Sequence, residues 1–157
     1  MNLWAVLLWG FAATVILTTT MAAAQYFRLT RMSIPYMLGT MFTADHGRAQ
    51  LLGFAVHLVN GWMFAVIYAG GFEGWGAATW WLGASIGLVH ALFVLFVGMP
   101  MLPALHPRMA TTTAGPTPTR LLQPPGFLAM HYGRRTAVVV VAAHLLYGGI
   151  LGAFYPR

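Results

Sequence analysis

The sequence contains no cysteine, no lysine and only two acidic residues, Asp45 and Glu73. Without cysteine the chain cannot form a disulfide, a thiolate metal site or a thiol nucleophile. Only 6% of its residues are charged, whereas about a quarter are charged in a typical soluble domain. So few charges cannot cover a surface exposed to water. The composition, with 59% hydrophobic residues, therefore predicts an integral membrane protein.

Motifs of common catalytic sites are also missing. The sequence has no phosphate loop, no H-E-x-x-H, no nucleophile elbow and no pair of neighbouring carboxylates. General acid–base chemistry would have to depend on histidine. The sequence therefore favours a protein that is not an enzyme, although it leaves the question open.

Four segments are apolar and free of Asp, Glu, Lys and Arg, and a helix needs about 20 such residues to cross a bilayer. We predict an all-α integral membrane fold in a single domain over residues 1–157. Its helices are expected at about 3–24, 51–69, 77–99 and 136–155. Interfacial segments are expected at about 26–44 and 126–133, and a flexible loop rich in Thr and Pro at about 108–125.

The arginines predict the orientation of these helices. All eight cations are arginine, and seven of them lie in the first and third connections. The second connection, "GGFEGWG", has no cation. By the positive-inside rule, loops 1 and 3 are cytoplasmic and both termini lie outside. The net charge of +6 is thus explained by topology and anionic lipid, and nucleic acid is not an expected partner.

A short motif occurs twice, as "HLVNGWMFAVIY" from His57 and "HLLYGGILGAFY" from His144, at an offset of 87 residues. We interpret the chain as two parallel hairpin repeats. Small residues recur on one face of the second, third and fourth spans and favour close helix packing. We therefore expect the second and fourth helices to build the two halves of one interface. The predicted packing residues are Gly61, Ala65, Gly83, Gly87, Gly148 and Gly152.

His57, His90 and His144 are the strongly polar ionisable residues inside the predicted spans. Such residues suggest function. Haem b is one candidate ligand, and a copper or zinc ion, which imidazole also binds, is another. The favoured interpretation needs no cofactor: each neutral imidazole bonds a backbone carbonyl, Asn60 or a threonine of the first helix. Methionine and histidine in "GMPMLPALHPRM" and "AMHYG" could bind Cu(I), but packing explains them better.

Four stretches, "MSIPYMLGTMF", "HLVNGWMFAVIY", "GMPMLPALHP" and "HLLYGGILGAFY", resemble small four-helix bacterial inner-membrane proteins of unknown function. The resemblance covers most of the chain. It implies the fold and the location but no substrate, cofactor or catalytic residue.

Three functional hypotheses remain. The leading one is a non-catalytic accessory or structural subunit of a larger bacterial membrane complex. The first alternative is a small haem- or metal-binding membrane protein that uses the three histidines. The second is an oligomeric transporter or channel, although no carboxylate or arginine lies within a predicted span to couple ions. The expected partners are the lipid bilayer and other membrane subunits, or further copies of this chain.

Overall fold

The computed structural model describes residues 1–111, 113 and 115–156 of the chain. These residues include four helices long and apolar enough to cross a membrane, which confirms the predicted all-helical architecture with four candidate spans. The elements follow in the order α1 (Leu3–Tyr26), α2 (Ile34–Gly39), α3 (His46–Trp75), α4 (Trp80–Phe93), a π-helix (Val94–Gly98), α5 (Met99–Leu105), a 3₁₀ helix (Phe127–Tyr132) and α6 (Thr136–Phe154).

Capping residues make the second spanning helix longer than its apolar stretch. The Asp45 side chain accepts a hydrogen bond of 2.8 Å from the backbone N–H of Arg48, so α3 begins there. Gly76 ends the helix with a φ of +65°, a left-handed conformation that glycine adopts readily. The apolar stretch predicted at 51–69 therefore lies inside a helix of 30 residues with more polar ends.

The third span is a composite of α4, the π-helix and α5, and it extends over Trp80–Leu105. The π-helix comes immediately before Met99 and Pro100. Because proline has no N–H, Pro100 cannot supply the helical hydrogen bond to the carbonyl four residues earlier. The wider turn occurs where that donor is missing, and turns of this kind are frequent at functional sites.

Glycines bring α4 and α6 into backbone contact. A methyl group at Gly148 would lie 2.1 Å from the carbonyl oxygen of Gly83, and one at Gly152 would lie 2.1 Å from that of Thr79. A methyl at Gly87 would lie 2.3 Å from the carbonyl oxygen of His144. Only glycine allows this separation, so these positions define one tight helix pair.

The second glycine-lined interface joins α1 and α3. A methyl at Gly61 would lie 1.8 Å from Thr14 Oγ1, and one at Gly10 would lie 3.0 Å from the Ala65 Cβ. The small-residue stripe of α3 thus packs on α1, and the stripes of α4 and α6 pack on each other. The prediction that the second and fourth spans form one close interface is wrong, because the stripes face different neighbours.

α3 and α6 contact each other through tyrosines instead of glycines. The Tyr147 hydroxyl donates to the Gly61 carbonyl over 2.5 Å, and the rings of Tyr68 and Tyr147 meet edge to face at 5.5 Å. Large side chains therefore fill the space between these two helices.

The two connections that carry the arginines meet at one end of the bundle. The hydroxyls of Thr30 and Thr136 lie 2.7 Å apart, and the Arg31 backbone N–H donates to the Tyr132 carbonyl over 2.7 Å. The Arg108 guanidinium donates to the Thr40 carbonyl over 2.7 Å. We call this end the arginine platform: the residues of 27–44 and of 106–135 that the structure describes.

The segment predicted as a flexible loop forms part of this platform. Met109 is fully buried, and the backbone N–H of Leu122 donates to the Arg108 carbonyl over 3.0 Å. Thr112 and Ala114 of this segment lie outside the described residues. Its flexibility stays a prediction.

The opposite end of the bundle holds the start of α1, the end of α6 and the α3–α4 connection. The Met1 amino group lies 2.8 Å from Glu73 Oε1, and the Tyr155 hydroxyl donates to the same oxygen over 2.6 Å. The Asn2 backbone N–H donates to the Tyr155 hydroxyl over 3.0 Å. These contacts tie α1, α3 and α6 together.

Candidate functional site

A cavity of about 210 Å³ lies inside the bundle and reaches from the middle of the spans to α2 and α5. It is partly open to the outside of the bundle. Side chains from all four spans contribute to its wall. The polar lining residues are Thr14, His57, Asn60, His90, His144 and Tyr147.

The fold brings the three sequence-predicted histidines to this one cavity. The ring centroids of His90 and His144 lie 4.6 Å apart in an edge-to-face arrangement. Phe64 stacks on the other side of His90 at 3.8 Å. His57 comes from α3, one turn before Gly61, and lines the same cavity.

Hydrogen bonds to the chain fix the tautomers of two of these histidines. The Thr18 hydroxyl has a single hydrogen and donates it to the Thr14 carbonyl over 2.8 Å. Its 3.1 Å contact with His57 Nδ1 must therefore be donated by the imidazole N–H. His144 Nδ1 lies 2.8 Å from the Val140 carbonyl, which can only accept, so this nitrogen also carries the hydrogen.

The sequence predicted hydrogen bonds from these histidines to a backbone carbonyl, to Asn60 or to a threonine of the first helix. The partners of His57 and His144 are of two of these kinds, a threonine of α1 and a backbone carbonyl. His90 differs, because its Nδ1 lies 3.3 Å from the Tyr68 hydroxyl. All three rings are therefore held by the chain through Nδ1. In the neutral His57 and His144 rings, Nε2 carries a lone pair that accepts hydrogen bonds.

The remaining wall of the cavity is apolar and rich in thioethers. Met21, Met32, Met37 and Met99 line it together with leucine, isoleucine, valine and phenylalanine side chains. No carboxylate and no arginine is among the lining residues. The site can therefore accept hydrogen bonds and bury an apolar body, but it offers no nucleophile activated by a neighbouring base.

Haem and a metal ion, the two cofactors considered from the sequence, can each be compared with the geometry of the three histidines. His90 and His144 touch each other, which leaves no space between their rings for the plane of a porphyrin. For a metal ion, the described residues contain no group of three or more His, Asp or Glu placed to bind one. Of the three histidines, His57 and His144 each offer a ligand one imidazole nitrogen with a free lone pair.

The methionines and histidines of "GMPMLPALHPRM" and "AMHYG", considered above as Cu(I) ligands, do not converge on one point. His106 is buried and bonds the Met37 carbonyl, and Met109 is buried beside it in sequence. Met101 and Met130 are exposed. Met99 belongs to the histidine cavity instead.

Sequence reasoning missed three features of the site. Tyr147 lies three residues after His144, and that spacing could have placed it on the same helix face. Met37 comes from the interfacial helix α2, and no periodic pattern connects that helix to the cavity. Val94 and Gly98 of the π-helix also line it, and Pro100 was the available signal for a disturbed helix there.

No family model, no curated protein and no solved structure matches this chain.

Proposed function

We propose that the chain is a non-catalytic accessory or structural subunit of a larger complex in the bacterial inner membrane. The observation that carries this proposal is the unbalanced charge of the arginine platform. Arg28, Arg134 and Arg135 are exposed there, whereas the ion pair that the described residues form lies at the opposite end, between Met1 and Glu73. Counter-charge must come from outside the chain, from lipid headgroups or from an acidic surface of another subunit.

The platform is also held in one shape, which supports a role in binding. Arg31 bonds the 3₁₀ segment through its backbone and its guanidinium, which donates to the His131 carbonyl over 2.5 Å. Burial raises the pKa of Tyr132 to about 12, so its hydroxyl stays protonated and donates to the Gln123 carbonyl over 2.5 Å. A surface that is already ordered loses little conformational entropy when a partner binds.

The cavity supports a non-catalytic role as well. Its imidazoles are held by Thr18, Tyr68 and the Val140 carbonyl, and no carboxylate lines it to assist proton transfer. Such a site is suited to binding a molecule and lacks the acid–base pairs of most catalytic sites.

Gentle extraction from the native membrane tests the proposal. We expect the protein to migrate as part of a larger complex with a consistent set of co-purifying chains. The Arg134→Gln/Arg135→Gln variant is expected to lose those chains, because both guanidiniums are exposed and unpaired with acid in the described structure. The Arg134→Lys/Arg135→Lys variant keeps the charge and is the matched control. A lone monomer without partner chains would contradict the accessory role.

A further inference from the structure

The histidine cavity contains hydrogen-bond acceptors for which the described chain supplies no donor. Nε2 of His57 and Nε2 of His144 carry lone pairs, because Nδ1 holds the hydrogen in both rings. His144 is only 9% exposed. The described residues leave no buried side-chain nitrogen or oxygen without a partner, so these two free atoms must face open space, and both residues line the cavity.

An unpartnered acceptor inside a membrane protein is unfavourable unless a ligand or water bonds to it. The site therefore calls for a molecule that carries a hydrogen-bond donor. A molecule that can only accept would place its own lone pair against that of the imidazole.

The dimensions and walls of the cavity indicate what carries this donor. An engineered cavity of about 150 Å³ binds benzene, so the 210 Å³ found here holds one substituted six-membered ring. Four methionine thioethers line the wall, and sulfur packs favourably against aromatic rings at a distance of about 5 Å. An aromatic ring fits both the volume and the lining better than a long flexible chain.

We propose that this cavity binds a neutral, lipid-soluble aromatic molecule carrying a hydroxyl group, which donates a hydrogen bond to Nε2 of His57 or His144. The methionine-lined wall contacts the ring. This binding site goes beyond the accessory role and does not depend on it.

Two compounds of nearly the same shape test the proposal. Tetramethylhydroquinone carries hydroxyl donors, whereas tetramethylbenzoquinone has only carbonyl acceptors. Binding is measured without oxygen, as retention by the protein in lipid nanodiscs after subtraction of the amount that partitions into nanodiscs without protein. We expect the hydroquinone to bind the unaltered protein roughly tenfold more tightly than the quinone, as a lost hydrogen bond to a buried acceptor requires.

A histidine-to-asparagine change provides the variant. The asparagine amide reaches the place of Nδ1 but not that of Nε2, so His57→Asn/His144→Asn keeps the contacts to Thr18 and the Val140 carbonyl while the Nε2 acceptors disappear. We expect this variant to lose the preference for the hydroquinone. His46→Asn is the matched control, because His46 is exposed and does not line the cavity.

Three results would overturn the proposal. Equal binding of the two compounds would show that shape alone determines binding. A preference that persists in the double variant would place the hydroxyl elsewhere. Binding of neither compound would show that the cavity holds only water. The first and third results come from the unaltered protein and do not require the variant to fold.

Discussion

At the residue scale, His106 shows how one buried side chain joins two connections of the arginine platform. Its Nε2 donates to the Met37 carbonyl over 2.9 Å, and its Nδ1 accepts from the Arg108 backbone N–H over 3.1 Å. The pair of bonds requires a neutral ring, because a protonated imidazole has no acceptor. Burial lowers the pKa of His106 below its ordinary value of about 6.5, and the positive charge of Arg108 acts in the same direction.

This lowered pKa predicts a loss of stability in mild acid. Between the ordinary value of about 6.5 and the lower folded pKa, the unfolded chain binds a proton at this residue and the folded chain does not. The contribution of His106 is therefore fully present above about pH 6.5 and is lost as the pH falls below it. We expect thermal melting in nanodiscs to show that the protein loses stability below about pH 6.5. This loss is expected to be smaller in the His106→Gln variant.

His46→Gln is the control for this experiment, since His46 is exposed at the start of α3. An unchanged pH dependence in His106→Gln would mean that His106 does not couple protonation to folding.

At the scale of elements, glycines at different positions of α6 have different surroundings. A methyl at Gly148 would lie 2.1 Å from the Gly83 carbonyl oxygen, whereas one at Gly149 meets its nearest atom, the Trp80 carbonyl oxygen, at 3.8 Å. The first distance is impossible without separating α4 from α6, and the second is an ordinary contact. Neighbouring residues of the same type therefore serve as a test and its control.

We expect Gly148→Ala to lower the free energy of unfolding by about 1–3 kcal/mol, the usual cost of inserting a methyl into a closely packed interface. Gly149→Ala is expected to change it little, or to stabilise the helix slightly because alanine favours helix formation. Circular dichroism during titration of detergent-solubilised protein with sodium dodecyl sulfate measures both. Equal effects of the two substitutions would contradict the close approach of α4 and α6.

At the scale of the whole molecule, the two ends of the bundle differ in charge. Six arginines lie in the platform and Arg48 lies in the first turn of α3, whereas the opposite end has Glu73 paired with the Met1 amino group. We propose that the platform faces the cytoplasm, as the positive-inside rule predicts, and that the chain termini lie outside.

The absence of cysteine makes this orientation testable with single substitutions. Gly74→Cys places a thiol in the last turn of α3, beside the second connection, where an added side-chain atom meets nothing within 4 Å. Thr119→Cys places one at an exposed position of the platform. In intact spheroplasts, a membrane-impermeant maleimide is expected to label the Gly74→Cys variant and not the Thr119→Cys variant. The Thr119→Cys variant is expected to be labelled only after the membrane is permeabilised. The reverse pattern would overturn the proposed orientation.

Some features of the fold follow from local chemistry and were predictable from the sequence. The four spans are long apolar stretches without charged residues, and any water-free layer forces such stretches into helices because their backbone polar groups need internal partners. Asp45 was predictable as a cap, because a carboxylate before a helix accepts from its first N–H groups. The three histidines were found as rare polar residues inside these spans.

Which helix faces which was decided by the tertiary structure alone. The sequence showed the stripes that contain Gly61 and Gly148, but a stripe of small residues is compatible with any close neighbour, and the structure pairs them with α1 and α4. The free Nε2 atoms were likewise hidden from the sequence. They depend on the Thr18 hydroxyl having already donated to the Thr14 carbonyl, and on Val140 lying one turn before His144 with its carbonyl toward the ring. The sequence determined the number of spans and the residues available for chemistry, because these depend on local composition. The cavity exists only because packing brings residues from all four spans around one space.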